Sequence, residues 1–190
     1  MIKIAISALL AVAAASPALA QDRAPFTGFR VEGLAGWDRV QAAGDHDDAL
    51  GYGVAAGYDM QMGRALVGIE AEAADSNAKQ CSGTATVDDP RFCVKTGRDL
   101  YVGGRVGTVV GNKTLLYAKA GYTNARAKFT GNDGTGQTTL ASSNLDGVRV
   151  GAGAEYAVGQ NAFVKAEYRY SNYESGVERH QVVGGFGFRF

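Results

Sequence analysis

His46 and His180 are the only two histidines in this 190-residue chain, and each has neighbours with which it could do chemistry. His180 closely follows Ser175 and Glu178. These are the residue types of an acyl-transfer centre, where histidine takes the proton of a serine nucleophile and a carboxylate orients the ring. If strand alternation holds, His180 shares a face with Val182, which would suit an enzyme acting on acyl chains. No His-x-Ser pair and no matched acidic orienter stands beside it, so an interfacial histidine is the reading taken. His46 sits among Asp45, Asp47 and Asp48, oxygen donors that suit a divalent cation or a cation bridge to phosphate. A solvated acidic loop is the reading taken for them. The run from Gly131 to Gly136 resembles a phosphate or calcium loop but lacks the lysine of a P-loop, and Asn112-Lys113-Thr114 matches a glycosylation sequon by chance. No catalytic residue, metal site or cofactor is assigned.

Cys81 and Cys93 lie twelve positions apart in a polar stretch. In an exported protein two cysteines read as one disulfide, worth roughly 2 to 4 kcal/mol against loop disorder. A metal centre is disfavoured, because no histidine lies between the two thiols.

The third chemically rich set is a series of charges, each flanked by apolar residues: Glu32, Glu70, Glu72, Arg105, Lys119, Arg149, Glu155, Lys165, Glu167 and Arg169. A period of two places neighbouring side chains on opposite faces of a strand. Val164, Ala166, Tyr168 and Tyr170 thus oppose Lys165, Glu167 and Arg169, and Val148, Val150, Ala152 and Ala154 oppose Arg149 and Glu155. The pattern recurs over eight segments, 26–38, 49–61, 64–75, 98–110, 113–128, 144–158, 161–174 and 178–190. The last ends on Phe186, Gly187, Phe188, Arg189 and Phe190, an apolar stripe that needs an apolar medium outside.

The other end of the chain indicates that medium. Lys3, an apolar run from Ile4 to Ala15 and the small residues Ala18-Leu19-Ala20 read as a secretory signal peptide cut after Ala20. The remainder, 21–190, is the length of one domain. No later segment has the roughly 20 apolar residues of a spanning helix, so an exported chain with eight alternating strands points to a membrane β-barrel. Glycine at 27 residues with only 3 prolines fits curved strands and not disorder. The formal net charge of zero offers nucleic acid nothing.

Connections alternate in kind. Tight turns are expected around Met62 and Gly63, Gly111 and Asn112, and Gly159 and Gln160, with Gly and Asn at positive φ; long loops are expected over 39–48, 76–97 and 129–143. Outer-membrane barrels have this asymmetry, short periplasmic turns against longer outer loops. The charged face cannot meet lipid, where a mid-plane Arg or Lys costs about 2 to 4 kcal/mol, so it must line the lumen. An eight-stranded barrel is barely wide enough to be filled by its side chains, and a salt-bridged core is expected in place of a pore. Trp37, Tyr58, Tyr156, Tyr168, Tyr170 and Phe188 or Phe190 would form the two aromatic girdles.

Signal peptide, eight alternating strands, tight turns and terminal Phe190 together resemble the OmpA-type, opacity-like eight-stranded outer-membrane barrels of Gram-negative bacteria. The resemblance implies an all-β, antiparallel up-and-down barrel over 26–190 with both termini in the periplasm. It also implies that Phe186, Phe188 and Phe190 form the signal read by the barrel-assembly machinery. Members include structural barrels, adhesins, serum-resistance factors and a few enzymes. The expected role is structural or surface-interacting, in adhesion or envelope integrity, without catalysis. Expected partners are outer-membrane lipid and lipopolysaccharide, with host or phage ligands at the outer loops. A narrow passive pore and a lipid A acyl hydrolase are the alternatives. The chain stops at Phe190, and cell-wall anchoring by a further periplasmic domain is not expected.

Overall fold

The computed structural model describes residues 25–42, 45–76, 79–82, 91–132 and 137–190. The expected signal peptide, 1–20, lies outside these residues. Nine strands follow one another: β1 (Gly28–Ala42), β2 (Asp45–Met62), β3 (Ala65–Ser76), β4 (Lys79–Ser82), β5 (Arg91–Val110), β6 (Thr114–Asn132), β7 (Gln137–Ala157), β8 (Ala162–Tyr173) and β9 (Val177–Arg189). All but β4 are staves of one closed barrel, each paired antiparallel with its sequence neighbours. Closure comes from β1 against β9, where Val31 faces Phe188 and Asp38 faces Gln181. With every stave paired on both sides, no backbone row is left open to lipid, which has no hydrogen bonds to offer.

Alternation decides the two faces, and the burial of β8 and β9 follows it residue by residue. Phe29, Val54, Ile69, Val102, Val148 and Val182 point outward, while Arg30, Glu70, Arg149 and Lys165 are buried inside. Outward aromatics gather at two heights. Phe29, Tyr58, Tyr156, Phe188 and Phe190 stand near the tight turns, and Trp37, Tyr52, Tyr122 and Tyr168 near the opposite end.

The tight turns and both described termini share one rim. Gly63 and Gly111 adopt positive φ, 63° and 65°, as a turn of so few residues requires. Gly159 does not: its connection is longer and is closed by the Val158 amide donating to the Ala162 carbonyl at 2.9 Å. At the other rim the expected long loops are strand for most of their length. Ala42 faces Asp45, so β1 and β2 run to within two residues of each other. β5, β6 and β7 likewise continue to Arg91, Asn132 and Gln137, and the expected loop 76–97 contains β4. Backbone groups above the bilayer still need partners, and hairpin arms supply them locally by pairing with each other. The last connection is a single 3₁₀ turn, Glu174–Gly176.

Candidate functional site in the barrel lumen

The inward face of eight staves converges on a core made of charge. Eight cations, Arg30, Arg105, Lys119, Arg149, Lys165, Arg169, Arg179 and Arg189, are buried with eight anions, Glu32, Asp38, Asp59, Glu70, Glu72, Asp99, Glu155 and Glu167. Among the described residues the numbers match, so this buried set carries no net formal charge. Every one of the sixteen joins at least one ion pair, and the pairs link into a single network.

Three levels can be distinguished along the barrel axis. Nearest the tight turns, Asp59 accepts from Arg30 Nε at 3.1 Å, Arg105 Nε at 2.8 Å and Arg189 Nη2 at 3.0 Å. Glu155 lies 2.7 Å from Arg189 and 3.3 Å from Arg105. At mid-height Lys119 Nζ is 2.7 Å from Glu70, 2.8 Å from Glu167 and 3.5 Å from Glu72, while Lys165 Nζ is 2.7 Å from Glu32. Tyr117 donates to Glu167 at 2.6 Å, and Lys119 lies 4.7 Å from the centroid of the Tyr101 ring. At the outer level Asp99 receives Arg149, Arg179 Nη1 at 2.7 Å, Thr123 Oγ1 at 2.8 Å and Tyr173 at 3.2 Å.

Burying a lone charge is prohibitive, so each is tolerated only because opposite charges and hydrogen bonds surround it. Arginine supplies most of the cations because its planar fork serves several carboxylates at once. Beneath the network an apolar floor of Phe26, Leu66, Val109, Leu115 and Tyr117 seals the turn side, and the guanidinium of Arg189 lies over Phe26 and Phe163 at 5.3 and 5.1 Å. Sequence reasoning passed over this floor. Its signal was the apolar character of Leu66, Val109 and Leu115 at positions sharing parity with the charged face.

All ten charged residues singled out from sequence lie in this network. Six of its members were missed. Alternation puts Arg30, Asp59 and Arg189 on that face although they were not among the ten, whereas Asp38, Asp99 and Arg179 fall at the ends of the segments 26–38, 98–110 and 178–190 read from sequence, and β1 and β5 continue well past Asp38 and Asp99. Cys81 and Cys93 are brought directly opposite each other on β4 and β5. Phe186, Phe188 and Phe190 lie on the outward face, with the rings of Phe186 and Phe188 edge-to-face at 5.2 Å.

Of the candidate catalytic grouping, the Ser175 side chain lies outside the described residues. His180 Nδ1 is 2.7 Å from the Tyr168 hydroxyl, and its ring lies 5.1 Å from that of Tyr170, which makes it part of the outer aromatic level. His46 falls opposite Gln41 on β1. Among the described residues no cluster of three or more ligand-type side chains could hold a metal ion.

A closed antiparallel barrel with an apolar exterior and a charged, filled interior defines an integral outer-membrane protein of the small eight-stranded class. Residues 6–190 match the model of the outer membrane protein beta-barrel domain family, and the chain belongs to that family. It is 30% identical over 176 residues to a 22 kDa outer membrane protein of Rhizobium leguminosarum bv. viciae, spanning 86% of this chain and 77% of the relative. A 31 kDa outer-membrane immunogenic protein of Brucella melitensis biotype 1 is 28% identical over 187 residues, covering 87% and 76%. Neisserial surface protein A superposes with a TM-score of 0.62 at 17% identity over 86% of this chain and 98% of that one. Ail, the attachment invasion locus protein of Yersinia pestis, in complex with the heparin analogue sucrose octasulfate, superposes at 0.58 and 19% identity over 86% and 99%. These two structures share the fold. The protein resides in the outer membrane of a Gram-negative cell.

Proposed function

We propose that this chain is a structural and surface-interaction barrel whose lumen is closed by its own side chains and whose outer hairpins make its contacts, in adhesion or envelope integrity. The observation that carries the reading is the burial of the lumen charges. Their side chains are at most 7% accessible, whereas a water-filled pore leaves its lining charges wet. Among the described residues the buried cations and anions also match in number, which offers a permeating ion no excess of either charge. The attachment function in the name of Ail belongs to that protein, and its shared fold supports the same kind of role here. Under this reading residues 1–20 direct export and are removed, Phe186, Phe188 and Phe190 present the terminal strand to the barrel-assembly machinery, and a Cys81–Cys93 disulfide ties the β4–β5 hairpin.

Planar-bilayer recording of the purified barrel tests closure: no steady current is expected, and reproducible single-channel steps would overturn it. A deletion strain scored for adhesion, phage sensitivity and leakage of a periplasmic enzyme tests the role. Unchanged behaviour in all three would count against it. Lipid A from an overexpressing strain should keep its acyl chains, consistent with His180 bonded to a tyrosine.

A further inference from the structure

On the inward face of β9 the side chains run from Arg179 through Gln181 to Val183, so a neutral amide stands among the lumen charges. Gln181 faces Asp38 across one ladder and Arg169 across the other. Directly opposed residues in a ladder share a face, which sets all three toward the lumen. Beside Gln181 lies a small cavity of about 10 Å³, walled by Leu34 and Val183 on its apolar side and by Glu72, Arg169 and Gln181 on its polar side. Gly51 also borders it and contributes no side chain: a Cβ built there would meet nothing nearer than 3.8 Å.

Each of the three polar side chains keeps one buried atom without a hydrogen-bond partner: Glu72 Oε2, Arg169 Nη2 and Gln181 Oε1. Their other atoms are engaged. Arg169 donates from Nε to Glu167 and from Nη1 to Glu72 Oε1, which also lies 3.4 Å from Arg149 Nη1. Lys119 Nζ is 3.5 Å from Glu72 Oε2, too far for a good hydrogen bond. The Glu72 and Arg169 side chains are at most 2% accessible and Gln181 is 5% accessible, so bulk water does not serve these atoms. Buried polar groups are paired as a rule, and three unpaired ones around a single cavity point to one shared partner.

We propose that this cavity binds one water molecule, which accepts from Arg169, donates to Glu72 and Gln181, and so completes the closure of the lumen. Its volume is about that of a single water position. The donor set selects against ions, because a cation would lie against the Arg169 guanidinium and an anion against the Glu72 carboxylate. A neutral molecule that both donates and accepts serves all three atoms at once. Turning the Gln181 amide over exchanges an acceptor for a donor, and a water serves that arrangement equally well. The inference rests on the closed-lumen reading, since a solvent-filled lumen would hold no single water in place.

The test is a high-resolution crystal structure of the full barrel, with parallel soaks in rubidium and bromide salts. One density peak within about 3.2 Å of Arg169 Nη2, Glu72 Oε2 and the Gln181 amide is expected, with no anomalous signal from either ion. A missing peak, or an anomalous signal at that position, would overturn the proposal. Gln181→Met gives a second readout. Were the Gln181 amide without a partner, an apolar side chain of like shape would leave stability unchanged or raise it. With a water held there, the variant strips Glu72 and Arg169 of their shared partner, and the folding equilibrium constant from urea titration in vesicles should fall about tenfold. A variant as stable as the parent would count against the site, and the crystal readout on the parent stands whether or not the variant folds. Planar-bilayer recording of the same preparation separates the two readings: silence with a dry cavity overturns this inference alone, whereas single-channel steps overturn closure and the inference with it.

Discussion

Arg179 and Asp38, separated by 141 positions in the chain, meet across the seam between the last stave and the first. Arg179 Nε donates to Asp38 Oδ1 at 2.7 Å, its Nη2 donates to the second carboxylate oxygen, and its remaining nitrogen reaches Asp99 at 2.7 Å. Both side chains are almost wholly buried. The pair therefore belongs to barrel closure: neither residue has this partner until β9 has docked on β1.

Removing one member should leave a buried charge uncompensated, a loss of about 3 to 5 kcal/mol. Arg179→Met and Asp38→Leu are each expected to lower the unfolding free energy of the barrel in lipid vesicles, extrapolated from urea titration, by that much. The double variant should recover a substantial part. Strictly additive losses in the cycle would mean that the two residues do not act as a pair.

The lipid-facing side can be tested at Ile69, which is 68% exposed in the absence of lipid. Ile69→Arg is expected to destabilise the inserted barrel by about 2 to 4 kcal/mol. The same substitution at exposed Ser142 in the outer hairpin should change stability by no more than about 0.5 kcal/mol. Equal effects at the two sites would contradict the assignment of the apolar band.

Closure also depends on Gly28, whose φ is 134° and where an added Cβ would lie 2.0 Å from the Phe190 carbonyl oxygen. Gly28→Ala brings both an unfavourable backbone conformation and a collision at the seam, a loss of at least about 1 to 3 kcal/mol. A smaller fraction of heat-modifiable, folded protein is the expected gel result. Gly33→Ala, where the added atom meets nothing within 4 Å, is the control and should fold like the parent.

Cys81 and Cys93 stand opposite each other in an antiparallel ladder, where opposed Cα atoms are roughly 4.5 to 5.5 Å apart, within the range a disulfide bridges. The mature protein should be lighter by two hydrogens than its reduced form. Reduction should loosen the β4–β5 hairpin, seen as faster proteolysis there, while the heat-modifiable barrel survives. An unchanged mass on reduction would exclude the bond.

The fold was legible at the level of faces. Arg149 and Val150, or Glu167 and Tyr168, announce opposite environments because adjacent strand residues must point apart, and eight such runs leave little choice but a barrel. Strand ends were less legible: residues 91–97 and 137–143 read as loop, since their polar composition suits solvent whether or not the backbone is paired. Gly159 misled for a related reason, because a four-residue connection relieves the need for the positive φ that Gly63 and Gly111 adopt.

Alternation, a local property set by the direction of each Cβ, determined from sequence alone that Lys119 and Glu70 are interior. That Lys119 bonds Glu70, Glu72 and Glu167, and that Asp59 gathers Arg30, Arg105 and Arg189, was decided only by the closed barrel. Partners across a lumen depend on the stagger between staves and on closure of the first onto the last. Neither quantity is carried by any short stretch of chain.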